Sequence, residues 1–280
     1  MGDVQRPWTG PARRLPVAGS DYRDAFTTFL AGTDEKELAH PYLLRVVANL
    51  PSRRVLLDVG AGDGTTTRLL GPHFERTLCV EPSAPMRELL RRSCPDAVVL
   101  SQSVLDAEVD VPVDLALLSH VLYYVPEERW ASTVLRIMGW LRPGGRLVIL
   151  MQNPDNPCMR MVQRFTGARF DLSSLPGRLR AAAPELVGTV RLDTLPARYR
   201  TASLPDALAV AEFFVSVPQR DGQPLEVDRG ALWEYVSRHF ADGDGGYTVP
   251  HTQDVLHLWR PGPSEGTGVG NPRLPEQAQL

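Results

Sequence analysis

The chain has 280 residues, a net charge of −3 and 43% hydrophobic residues. That is enough apolar material for one large domain, and the charge is too balanced for a basic nucleic-acid footprint. Cys79, Cys94 and Cys158 are odd in number and widely spaced, so they match neither a disulfide framework nor a zinc spacing and suit a reducing, cytoplasmic setting. No apolar run reaches the length of a membrane span, and the first residues, broken by Pro7, Pro11 and Pro16, read as lacking a signal core.

In chain order, residues 1–19 are rich in Pro, Arg and Gly without a period and read as a mobile arm. Residues 21–30 and 35–50 carry helical apolar spacing, separated by Ala31-Gly32-Thr33-Asp34-Glu35, a break with helix-start chemistry. Val55-Leu56-Leu57 is a short apolar run entering a glycine loop and reads as a buried parallel strand. A helix at Thr65–Leu70 follows. The unit then repeats with strand Thr77–Val80, helix Pro85–Arg92, strands Ala97–Leu100 and Val113–Leu118, helix Glu127–Leu141 and strand Arg146–Met151. Residues 152–188 break the alternation and read as an inserted lid. Arg191–Leu195 and Val255–Trp259 read as closing strands around helices at Asp206–Val217 and Leu232–Phe240.

The expected fold is therefore α/β: a Rossmann-like, doubly wound, mostly parallel seven-stranded sheet with an N-terminal helical segment and a lid after strand 5. The expected organisation is one domain over 20–260, with a ligand-binding core at 52–151, a lid and substrate region at 152–250, and a disordered tail at 261–280.

The glycine loop carries the first chemistry. Glycines let backbone pass close to a ligand, and the helix that follows offers unpaired N–H groups. The glycines stand at Gly60, Gly62 and Gly64, whereas the dinucleotide fingerprint wants one at position 65, which is threonine. This register argues against NAD. Glu81 ends the second strand, where a carboxylate accepts ribose hydroxyls. Ser119 and His120 end the fourth strand, on the sheet edge where open α/β sheets bind ligands. Tyr123 and Tyr124 follow as candidates for an aromatic, cation-accepting wall. Asp242-Gly243-Asp244-Gly245-Gly246 resembles part of a calcium loop, but the closing acid is replaced by Gln253. His239, His251 and His257 lack a ligand spacing, so no metal is expected.

Residues 53–151 resemble the catalytic core of class I S-adenosylmethionine (SAM)-dependent methyltransferases. The runs LLDVGAGDGTTT, CVEPS, VDLALLSHVLYYV and WLRPGGRLVIL occur in that family's order. The resemblance implies SAM as cofactor and S-adenosylhomocysteine (SAH) as product. It implies Asp58, Gly60, Gly62 and Gly64 around the methionine end, and Glu81, with Pro82 and Ser83 beside it, at the ribose. Ser103 falls where many members place an acid beside the adenine, and Ser119 lies at the cofactor's strand end. Over about 22–260 the chain also resembles the histamine N-methyltransferase family, through YRDAFTTFLAGTDEKE, VEPSA, SHVLYYV, GARFD and GALWEYV. That resemblance implies Glu35 at the substrate amine. It implies His120 and His251 at polar substrate contacts, where those enzymes have glutamine and asparagine.

On this reading Glu35 orients an ammonium, His120 takes its proton, and Tyr123, Tyr124 and His251 complete the substrate wall. The acceptor is expected to be the amine of a small molecule or a peptide amino terminus, in specialised metabolism. The protein is expected to be a monomer or homodimer without a nucleic-acid or membrane partner. O-methylation of a hydroxylated or carboxylated metabolite is the second reading. A SAM-binding partner protein without catalysis is the third.

Overall fold

A computed structural model describes residues 10–13, 15, 19–217 and 227–262. Most of the segment read as an arm, and all but two residues of the expected tail, lie outside the described residues.

The sheet grows from the apolar runs. Strands β1 (Val55–Val59), β2 (Arg76–Val80), β3 (Val98–Leu100), β4 (Val113–Ser119) and β5 (Leu141–Gln152) pair in parallel. β6 (Val190–Leu195) and β9 (Gln253–Trp259) complete it, with β9 antiparallel to both β5 and β6. The order is β3-β2-β1-β4-β5-β9-β6, so the expected seven-stranded, mostly parallel sheet is present. It reverses direction of growth between β1 and β4, and ligands collect at such a switch point. β5 starts at Leu141, earlier than expected. Leu141 pairs with Val113 before the register shifts around the Pro143-Gly144-Gly145 turn.

Alternation along each strand sorts the core onto two faces. Leu56, Leu115, Leu117, Val148 and Leu150 meet Ala39, Leu43, Val46 and Val47 of α2 (Glu35–Ala48). Leu57, Ala116, Leu118, Leu147 and Ile149 meet Val134, Ile137 and Met138 of α5 (Trp130–Trp140). Two short helices flank the glycine loop and β2, α3 (Thr65–Leu70) and α4 (Ala84–Ser93).

The segment 152–188 does not behave as one lid. Its first helix, α6 (Pro157–Thr166), is N-capped by the Asn156 side chain and ends at Gly167 in the left-handed region. α6 packs in a separate apolar cluster with α1 (Ser20–Gly32), α8 (Leu204–Ser216) and α9 (Arg229–His239). Its second helix, α7 (Leu175–Ala182), instead buries Leu175 and Leu179 on the α5 face of the sheet. The cap over the sheet edge is thus α1, α6, α8 and α9, joined by a small ribbon of β7 (Arg198–Thr201) and β8 (Tyr247–Pro250) that the sequence reading did not anticipate.

The described residues of the expected arm are anchored. Pro11 bridges Asp228, the Ala12 N–H donates to the Val227 carbonyl at 2.7 Å, and Leu15 is fully buried. Glu212, buried inside α8, holds Arg13 at 3.1 Å and Arg229 at 2.7 Å. A single buried acid therefore ties this segment and α9 to α8.

Candidate active site

A cavity of about 200 Å³ opens between the sheet edge and the cap. Its sheet side is formed by Asp58, Gly60, Gly62, Ser119, His120, Gln152 and Gln253. Its other sides come from α2, through Glu35, Lys36 and His40, and from the rings of Tyr22, Phe26, Phe213 and Phe214.

The glycine loop is built as a bare-backbone surface. Gly60 has φ +74°, and a Cβ there would come within 2.2 Å of Val121 Cγ2. Gly62 has φ +57° with nothing within 4 Å of its missing Cβ, so unoccupied space lies against its backbone. Gly64 serves differently: a Cβ there would strike Ser93 Oγ at 2.6 Å and Leu90 Cδ1 at 2.7 Å. It lets α4 pack against the loop and does not line the cavity.

Glu81 is buried behind the loop and is not itself part of the cavity wall. One oxygen accepts the Gly62 N–H at 2.9 Å and the other the Ser83 N–H at 2.8 Å. Each keeps a further lone pair for a hydroxyl. Asp58, also buried, accepts the Thr67 hydroxyl at 2.6 Å. Burial pushes the Asp58 carboxyl up to about 6, against the Thr67 hydrogen bond and helped by the charge of Glu81. Pro82 and Ser83 lead into α4 and lie outside the cavity wall. Ser103 does too: its hydroxyl donates to Asp106 Oδ2 at 2.6 Å and accepts the Leu105 N–H, which leaves it closing a turn.

The structure brings Glu35 and His120 together. His120 Nε2 lies 3.3 Å from Glu35 Oε1 and 3.1 Å from Gln253 Oε1. Two oxygen acceptors fix a proton on Nε2, which leaves Nδ1 as the nitrogen with a free lone pair. His120 has φ +58°, and among the described residues it is alone outside glycine in being left-handed. Its N–H still donates to the Leu150 carbonyl at 2.9 Å, and its ring stacks on Tyr123 with centroids 5.9 Å apart. Such strain persists only where the surroundings enforce it, and it clusters at working sites.

Glu35 also faces a second imidazole. Its second oxygen lies 3.7 Å from His251 Nδ1. Burial works against its charge, but His120 by charge and hydrogen bond, then His251 and Lys36, hold its pKa down to about 2. For His120, burial lowers the pKa, yet Glu35 by charge and hydrogen bond, with Gln253, leaves it raised. His251 is lowered by burial, against the pull of Glu35. His251 is fully buried, bonds Thr33 Oγ1 at 2.8 Å and stays out of the cavity wall. It stands behind Glu35 and does not reach the cavity as a substrate contact.

Tyr123 and Tyr124 both line the cavity. The Tyr123 hydroxyl accepts the Gln152 N–H at 2.5 Å, and its ring meets Phe170 edge-on at 5.0 Å. The Tyr124 and Tyr22 hydroxyls are 2.6 Å apart and join α1 to the loop after β4.

Several cavity residues escaped the sequence reading. Tyr22, Phe26, Phe213 and Phe214 were legible only as helix faces. Gln253 carries no local signal beyond standing where a calcium loop would need an acid. Lys36 had a signal, being the chain's only lysine against a background of arginine.

The comparisons with known proteins agree with this geometry. A methyltransferase domain family model matches residues 31–181, more than half of the chain. Uncharacterized methyltransferases of Mycobacterium bovis and Mycobacterium tuberculosis are 32% identical over 143 residues, 50% of this chain and 56% of theirs. The chain thus spans little more than half the length of these curated relatives. Among solved structures, the YcgJ protein of Bacillus subtilis superposes with a TM-score of 0.55 at 13% identity, covering 79% of this chain and 99% of that one. The N-methyltransferase NodS of Bradyrhizobium japonicum in complex with SAH gives 0.51 at 16% identity, covering 87% and 100%. At such identities these two show a shared fold. The chain belongs to the methyltransferase domain family, within the class I SAM-dependent methyltransferases.

Proposed function

We propose that the chain transfers a methyl group from SAM to the amine nitrogen of a small molecule. The observation that carries this is the Glu35–His120 pair, 3.3 Å apart in the wall of a cavity that also exposes the glycine loop. SAM supplies the methyl group as an electrophile on its sulfonium. Asp58, Gly60 and Gly62 would hold its methionine end and Glu81 its ribose, with Ser119 beside them. The open space at Gly62 and the free lone pairs of Glu81 fit that ligand.

The protein's own task is to bind, align and deprotonate. An ammonium has no lone pair to attack with until it loses a proton. Glu35 keeps Nε2–H of His120 in place and raises the basicity of the ring, so Nδ1 takes the proton. Glu35 thus acts mainly through His120, rather than as the lone anchor of the ammonium, while its charge still favours a cation nearby. The rings of Tyr22, Phe26 and Tyr123 offer faces to a cation and keep water out. Thr33 accepts the Glu35 backbone N–H and holds His251 behind the acid.

An O-methyl acceptor is the second reading. It is favoured by the occupation of the Glu35 charge by His120, which leaves a base suited to a phenol. On either reading, residues 20–260 act as one methyltransferase unit, with the cap over the substrate.

The test is calorimetric binding of SAM, followed by mass spectrometry for one added methyl on a panel of amines and phenols. Failure to bind SAM sinks the proposal. Methylation of phenols alone transfers it to the second reading.

A further inference from the structure

From the unlike polar and aromatic linings of the cavity we infer that the acceptor is amphipathic, a polar head at His120 carried on a bulky apolar or aromatic body seated between α1 and α8. This rests on the methyl-transfer reading above and names the substrate class of that site.

The sheet side, the glycine loop and the helices after it and before β1 bring polar groups to the wall, among them Asp58, Asp63, Lys36 and Thr66. The cap helices do not. α1 contributes Phe26, Phe29 and Leu30, and α8 contributes Phe213 and Phe214. These rings support one another, with Phe29–Phe213 and Phe26–Phe213 centroids 5.9 Å apart and Phe29–Phe214 at 5.2 Å, edge-on. The apolar wall is therefore assembled before a ligand arrives, and preformed walls need little ordering on binding. α8 sends no charge into the cavity. Its buried acid, Glu212, is directed to Arg13 and Arg229 and is not part of the wall. A sugar, a carboxylate or a peptide backbone placed against these rings would leave its polar groups unpaired, which is costly.

The head end is equipped differently. Gln152 and Gln253 face each other across β5 and β9, and both line the cavity. Gln152 Oε1 and Gln253 Nε2 are buried without a hydrogen-bond partner. One accepts and the other donates, and they stand beside His120. Buried polar atoms in native proteins are nearly always satisfied, so an orphaned pair at a binding cavity points to a polar group of the ligand. The Tyr22–Tyr124 hydrogen bond links α1 to the loop after β4 beside these groups. The aromatic wall favours a small molecule over a peptide amino terminus, whose backbone groups would find no partners among those rings.

The experiment measures binding to the full chain saturated with SAH, which cannot donate a methyl. Phenylethylamine, ethylamine, ethanolamine and triglycine are titrated by calorimetry. The expected result is phenylethylamine binding at least about tenfold tighter than ethylamine, with triglycine weakest. In Phe213→Ala the phenylethylamine advantage should fall by about tenfold while SAH affinity changes less than about twofold. Phe213→Leu, which keeps apolar volume, serves if the alanine variant does not fold. The wild-type ligand series stands without either variant. Equal binding of ethylamine and phenylethylamine, or tight binding of triglycine, overturns the inference and leaves the methyltransferase reading intact. Failure of SAH to bind overturns both.

Discussion

Glu35 Oε1 lies 3.3 Å from His120 Nε2, so the first turn of α2 and the end of β4 share one proton-bearing contact. Neither residue could hold this arrangement from its own element. Thr33 holds the Glu35 backbone, and Gln253, the first residue of β9, holds the imidazole.

The first prediction concerns pH. His120 must be neutral to take a proton, and Glu35 raises its pKa. Activity should therefore rise with pH through that raised value. In Glu35→Gln the rising limb should move to lower pH, while turnover at its plateau falls about tenfold or more because the imidazolium that forms loses its counter-charge. His120→Ala should lose about a hundredfold. A pH profile of kcat/KM, with imidazole titration by NMR, checks both. An unmoved limb in Glu35→Gln would falsify the base assignment.

Stability should follow the same pair. Glu35 is depressed to about 2 in the fold, so its contribution is present above its ordinary value of 4.5 and disappears as pH falls toward 2. His120 is raised, so its contribution is full below 6.5 and disappears as pH climbs through its folded value. The stability gap between wild type and Glu35→Gln should thus be widest from about pH 5 to 6.5 and narrow on either side. Urea midpoints across pH measure it, and a gap constant with pH contradicts the pairing.

His120 also stores backbone strain. At φ +58° a glycine is at ease and an alanine is not. His120→Gly should be about 1 kcal/mol more stable than His120→Ala, although both should lose activity to a similar degree. Thermal unfolding of the two variants decides the point. Equal stability would mean that the left-handed conformation relaxes once the ring is gone.

The glycine loop separates two kinds of glycine. Gly60→Ala places a methyl against Val121 at 2.2 Å and should lower stability by about 1–3 kcal/mol. Gly62→Ala meets only open space and should cost the fold about 1 kcal/mol from its positive φ. It should weaken SAM about tenfold or more, because the methyl projects where the ligand belongs. Calorimetric SAM binding beside urea titration tests the split, and unchanged SAM affinity in Gly62→Ala would remove that residue from the site.

Glu212 is the cap's electrostatic pin. Replacing it with alanine removes the contacts to Arg13 and Arg229 at once and should lower stability by about 1–3 kcal/mol. The segment at residues 10–13 should also lose protection from hydrogen exchange. Urea denaturation and exchange mass spectrometry measure the two effects. A loss of stability with exchange at 10–13 unaltered would show that the Arg13 contact is incidental.

Much of the sheet was legible because burial on both faces forces near-continuous apolar strands, as in Val55–Val59 and Val113–Ser119. The β7–β8 ribbon was not, since each strand has four residues with one fully buried, too short to display a period. The division of 152–188 was hidden for another reason. Asn156 and Gly167 mark the ends of α6, but no local signal says that α6 joins the cap while α7 returns to the sheet. In the site, Gly60, Gly62 and Asp58 were readable because a bare loop after a strand has few other uses. Gly64 and Ser103 carried the right register and were taken up by packing and a turn. His251 was found by resemblance, yet its place behind Glu35 depends on where β8 ends, which only tertiary structure fixes.

The insertion of β9 between β5 and β6 has a consequence for synthesis. A chain emerging from the ribosome forms β1 to β5 and the glycine loop early, as a partial sheet with an open edge. Gln253, which orients His120, arrives only when the closing strand slides into that gap. On the proposed function, the donor-binding residues are thus made well before the last partner of the proposed base, and a chain clipped ahead of β9 lacks Gln253 beside His120.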